Sequence, residues 1–128
     1  MAHRRAFLVD TSVVFRSPTP AIAERLRLLV DDGAVASCTL IDLEVLYSAR
    51  ARNYDVVLEH RRSFPSVPIT PDVMERSIEI QQLLARRAHH RVPIGDLIIA
   101  AAAESAGVPV LHYDAHYEQI AAVTSQPH

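Results

Sequence analysis

Four acids stand where a chain of alternating strands and helices would bring them together: Asp10, Glu44, Asp96 and Asp114. Carboxylates gathered in one crevice repel one another. They stay ionised only with a cation among them; otherwise some take up protons. Their hard oxygens suit Mg2+ or Mn2+. Such an ion activates water and clamps both oxygens of an in-line phosphoryl displacement, so no side chain need serve as general base. It also reverses the sign of a pocket that would otherwise repel a nucleic-acid backbone. Each acid has an ordinary structural explanation as well. Asp10 and Ser12 suit a turn and an N-cap, Asp96 and Asp114 suit N-caps, and Glu44 suits a solvent-facing place between buried neighbours. The choice rests on where the elements carry them.

The run Ala6 to Val9 is apolar without alternation, as in a strand buried on both faces of a parallel sheet, and Asp10 stands at its carboxyl end. In open α/β sheets the ligand crevice lies outside that edge. Ser12 to Phe15 predicts a short helical turn. Thr19-Pro20 opens a helix that carries Ile22, Leu26, Leu29 and Val30 and stops at Gly33. Val35 to Cys38 reads as a second strand. Thr39 caps a helix to about Arg52, with Leu40, Leu43, Leu46 and Tyr47 as its buried stripe and Glu44 in its second turn. A further helix starts at Asn53 and ends by Pro65. Val67-Pro68-Ile69 is a weak edge strand. Thr70-Pro71 opens the longest helix, with Met74, Ile78, Leu83 and Leu84 inward. Asp96 begins an apolar helix that should be buried all round and ends at Gly107. Val108 to Leu111 is the next strand, Asp114 follows it, and a last helix runs from about Ala115 to Val123. This order predicts an α/β/α sandwich, three layers around a central parallel sheet of four to five strands. Asp10 and Asp114 then share an edge with the beginnings of the helices that bear Glu44 and Asp96.

The chain has 128 residues, fitting one domain over 1–128, and a formal net charge of −2. All 13 lysine-plus-arginine positions are arginine, clustered at Arg4-Arg5, Arg50/Arg52, Arg61-Arg62 and Arg86-Arg87/Arg91. Arginine forks suit phosphate oxygens, although each cluster also suits a solvated helix face. Without lysine the chain cannot be a phospho-receiver domain, a P-loop nucleotidase or a lysine-dependent aspartyl phosphatase; without Gly-x-Gly-x-x-Gly it is no dinucleotide-binding fold. His89-His90 and His112 lack zinc-ligand spacing. The single cysteine, Cys38, sits among apolar residues and reads as a buried thiol in a reducing compartment. No signal peptide and no bilayer-length apolar run are seen, so the expected location is the cytoplasm, with no membrane role.

Leu8-Val9-Asp10-Thr11-Ser12, Leu43-Glu44-Val45-Leu46-Tyr47-Ser48-Ala49, Asp96-Leu97-Ile98-Ile99-Ala100-Ala101-Ala102-Ala103 and Leu111-His112-Tyr113-Asp114, in this order and spacing, resemble the PIN-domain family, and within it the VapC toxins of bacterial toxin–antitoxin pairs. The resemblance covers nearly the whole chain. It implies a metal-dependent endoribonuclease that cuts structured RNA such as transfer or ribosomal RNA. It also implies a homodimer, and neutralisation by a small VapB-type antitoxin whose tail enters the acidic groove. Asp10, Glu44, Asp96 and Asp114 would form the acidic quartet around the ion, with Asp10 and Asp96 its direct ligands and Thr11 or Ser12 orienting Asp10 or a water. Family members often carry a second acid two residues after the last of the four, then an aromatic. This chain has His116 there, followed by Tyr117, which makes His116 an outer contact of the site or a surface residue. Members usually continue past the Gln-Pro pair with another short strand, which leaves the strand count open. The alternative is a catalytically silent PIN-like module that binds RNA or protein.

Overall fold

The apolar run Phe7–Val9 forms β1, the middle strand of a parallel sheet ordered β2-β1-β3, with β2 at Val35–Ala36 and β3 at Val110–Leu111. The structure is a computed structural model that describes residues 6–15, 19–112 and 115–124. Phe7 and Leu8 pair with Val35 and Ala36 on one side, and Leu8 and Val9 pair with Val110 and Leu111 on the other. Among the described residues seven α-helices accompany the strands: α1 Thr11–Phe15, α2 Pro20–Asp31, α3 Thr39–Tyr47, α4 Tyr54–Arg62, α5 Pro71–Ala85, α6 Ile94–Ala106 and α7 Ala115–Thr124.

Strand alternation divides the interior in two. Leu8, Ala36 and Val110 enter a large core with Ile41 of α3, Ile80 and Leu84 of α5, Ile99 to Ala103 of α6, and Tyr117 and Ile120 of α7. Their neighbours Val9 and Val35 face the other way, into a smaller core with Val13, Ile22, Leu26 and Phe64. This places helices on both faces of the sheet, as expected. The alanine run of α6 is buried as its composition demands, which lets neighbouring backbones approach closely. Gly107 ends that helix in the left-handed region at φ 69°, where a side chain would be strained.

Several expectations need correction. Among the described residues the sheet has three strands rather than four to five. The segment around Val67-Pro68-Ile69 contributes one isolated parallel bridge, Ser66 with Ser37. Ser37 N–H donates to the Pro65 carbonyl at 2.9 Å, and Val67 N–H donates back to the Ser37 carbonyl at 2.7 Å. Pro68 has no N–H with which to extend that ladder. Helix α3 ends at Tyr47, and a separate turn over Ala51–Asn53 leads into α4. Its buried residues are Ile41 and Leu46; Leu43 is exposed and Tyr47 is 91% exposed. On α5 the inward residues are Val73, Ser77, Ile80 and Leu84, whereas Met74 and Ile78 face out.

Candidate active site

Asp10 leaves β1 and turns at once into α1. It is 4% exposed. Its Oδ2 accepts the Ser12 N–H at 3.0 Å, the local turn bond that its type favours. Its Oδ1 accepts the Tyr117 hydroxyl at 2.8 Å, a contact from 107 positions away. That second bond is what a turn residue would not need.

Asp96 is not an N-cap. The cap position of α6 is Pro93, and Asp96 is the third residue of the helix, within its first turn. Its Oδ1 lies 3.4 Å from the same Tyr117 hydroxyl, and its Oδ2 lies 3.0 Å from His116 Nδ1. One phenol thus stands between two carboxylates, one from a strand end and one from a helix start.

Glu44 reaches the same edge from α3. The Thr11 hydroxyl donates to its Oε2 at 2.7 Å. A Cβ added at Gly95 would come within 3.0 Å of Glu44 Oε1, so the glycine beside Asp96 makes room for this carboxylate. Thr11 is buried, and its neighbour Ser12 contributes through its backbone.

Asp10, Glu44 and Asp96 therefore converge, with Thr11 and Ser12 beside them and His116 on the rim. Asp114 lies outside the described residues. The sequence did not single out the Tyr117 hydroxyl or the room provided by Gly95. A tyrosine, where a phenylalanine would fill the same core, was the available signal, because a buried phenol needs a partner. Burial, with the charges of Asp10 and Asp96 and more weakly Glu44, pushes the Tyr117 phenol far above its ordinary pKa. It remains a neutral donor.

Among the described residues, no group of three or more histidine, cysteine, aspartate or glutamate side chains is close enough to hold a metal ion as it stands. They form instead a hydrogen-bonded set joined by Thr11 and Tyr117. The chemistry of that set, hard carboxylate oxygens with neutral hydroxyl donors, fits a divalent cation of the Mg2+ type.

Comparison with known proteins places the chain in a family. Residues 7–123 match the PIN domain family. Ribonuclease VapC21 of Mycobacterium tuberculosis is 44% identical over 124 residues, covering 94% of this chain and 90% of the relative. Ribonuclease VapC51 of the same species is 43% identical over 122 residues, covering 94% and 89%. A crystal structure of DNA-bound VapBC from Salmonella typhimurium superposes with a TM-score of 0.73 at 23% identity, covering 91% of this chain and 93% of that one. VapBC2 from Rickettsia felis, bound to a promoter DNA fragment, gives 0.75 at 13% identity, covering 95% and 96%. At these identities the two structures speak for the fold alone. The chain belongs to the PIN-domain family. The two relatives compared in sequence are named as VapC ribonucleases.

Proposed function

We propose that the chain is a divalent-ion-dependent endoribonuclease, the toxin of a toxin–antitoxin pair, acting on structured RNA of the transfer or ribosomal kind. The observation that carries this reading is the meeting of Asp10, Glu44 and Asp96 at one sheet edge from three separate elements. The names of the VapC relatives support it.

Asp10 and Asp96 would hold Mg2+ or Mn2+, with Glu44 and Asp114 completing the acidic quartet. A bound ion of this kind activates water and stabilises charge on a phosphoryl group in displacement. The chain's own residues prepare that place. Ser12 N–H and Tyr117 fix both oxygens of Asp10, Thr11 aims Glu44, and His116 holds Asp96 from the rim. Surface arginines would take the flanking phosphates.

The proposed partner is a VapB-type antitoxin. A groove of about 490 Å³, lined mainly by apolar side chains such as Val9, Val30, Val57 and Phe64 and also by Arg27 and Arg61, offers an apolar segment a seat. Met74 and Ile78, exposed on α5, leave an apolar helix face that a homodimer would cover. No helix among the described residues is long and apolar enough to cross a membrane, in keeping with a proposed cytoplasmic location.

The test is cleavage of transfer and ribosomal RNA by the purified chain, with fragment ends mapped. We expect cuts that need Mg2+ or Mn2+, disappear with chelator and disappear in Asp10→Ala and Asp96→Ala. Cleavage that survives both substitutions would refute the reading. RNA or partner binding without any cleavage, independent of metal, would establish the silent binding module instead.

A further inference from the structure

We propose that Tyr117 is a positioning residue, which orients the carboxylates of Asp10 and Asp96 for a shared divalent ion. This rests on the metal-dependent reading above and goes beyond it in naming a residue outside the acidic quartet.

The ring and the hydroxyl of Tyr117 have separate explanations. The ring is 2% exposed, belongs to the large core and packs against the His112 ring at 4.9 Å between centroids. Phenylalanine would meet those needs equally well. Among the described residues the hydroxyl meets the acids, donating to Asp10 Oδ1 at 2.8 Å with Asp96 Oδ1 at 3.4 Å. The two acids belong to different elements and repel each other. The phenol, from a third element, supplies one proton between them and no positive charge. A lysine or arginine there would neutralise the pair and compete with a cation. A neutral donor fixes Asp10 Oδ1 beside Asp96 Oδ1 and leaves the charge of both acids available. Partners that orient ligands in this way typically change metal affinity by about ten- to a hundredfold when removed.

The experiment follows Mn2+ binding through the paramagnetic resonance signal of the free ion, using the wild-type chain, Tyr117→Phe and Asp10→Asn. We expect Tyr117→Phe to keep the wild-type circular dichroism and to bind Mn2+ roughly ten- to a hundredfold more weakly. RNA cleavage by the variant should return to the wild-type rate when the ion is raised by the same factor. Equal Mn2+ affinity in wild type and Tyr117→Phe overturns the proposal, and so does a cleavage rate that stays low at saturating ion. A wild-type chain that binds no Mn2+ overturns the metal reading itself, a distinct failure. Should Tyr117→Phe not fold, the wild-type chain carries the test. Mg2+ should perturb its near-ultraviolet tyrosine absorption with one saturation curve that matches ion binding. A tyrosine band left unmoved while the ion binds overturns the proposal.

Discussion

Helix α3 carries two acids two residues apart, and the fold treats them in opposite ways. Successive residues turn about 100° around a helix, so Asp42 and Glu44 face different sides. Asp42 meets Arg61 of α4, whose Nε donates to its Oδ1 at 2.9 Å. Ser37 completes that cluster, accepting from Arg61 Nη2 at 2.8 Å and donating to Asp42 at 2.7 Å. Arg61 is 6% exposed and also lies over the Phe64 ring. There the carboxylate is matched by a guanidinium inside the protein. Glu44 turns to the edge where Asp10 and Asp96 stand, and among the described residues neutral hydroxyls, a backbone N–H and the His116 ring meet these carboxylates. One cluster closes its charge balance internally and serves the fold. The other gathers three carboxylates among the described residues, an arrangement suited to a cation from outside.

Substitutions can break this contrast. The largest effect should come from Asp10→Asn. It removes one of the gathered charges and should lower RNA cleavage on the order of a thousandfold, because the proposed ion would supply several kcal/mol of transition-state stabilisation. Its urea midpoint should stay near wild type. A large loss of stability with activity kept would reverse the roles assigned to the two clusters. Next comes Arg61→Met, which leaves Asp42 without its cation in a mostly buried place. A loss of about 3 kcal/mol in urea unfolding is expected, as for other broken buried pairs. Whatever protein remains folded should still cleave RNA.

The two clusters were not equally legible in the sequence. Asp10, Glu44 and Asp96 could be placed because strand ends and helix beginnings in a parallel sheet share an edge, and that topology follows from the order of elements. Arg61 could not be told from its exposed neighbour Arg62, since a charge run reads as a solvated face until the residue across from it is known. Helix faces failed for a related reason. On α5 the visible apolar residues Met74 and Ile78 drew the stripe, while the true face includes Ser77, whose hydroxyl hides its polarity by donating to the Val73 carbonyl at 2.9 Å. The end of α3 at Tyr47 is not legible because Ser48 to Arg50 contains neither glycine nor proline to mark a stop. The strand count depended on pairings that short segments decide by contact, not by composition.

Smaller effects sharpen the contrast. Gly95→Ala puts a Cβ within 3.0 Å of Glu44 Oε1, so that carboxylate must shift by a few tenths of an ångström. Alanine is favoured over glycine within a helix by about 1 kcal/mol, which offsets the crowding. Stability should therefore change little, while cleavage falls by roughly tenfold, the lower range for disturbing groups around a metal site. Unchanged cleavage in Gly95→Ala would remove Glu44 from the working set.

The smallest expected effect tests whether burial is what gives the Arg61 cluster its weight. Arg76 on α5 makes a similar fork with Glu104 on α6, at 2.7 and 3.1 Å, and a further bond to Glu79 at 3.0 Å. The Glu104 bond, first among its causes, raises the pKa of Arg76 above its usual value, but both partners remain about one-third exposed. Water and salt screen such a pair, so Arg76→Ala should cost no more than about 1 kcal/mol. The difference from wild type should shrink as salt is added, whereas the Arg61→Met deficit should persist. If the two substitutions cost the same and respond alike to salt, geometry rather than burial sets the strength of these pairs. The inward face of α3 would then owe its stability to something other than a charge balance closed away from solvent.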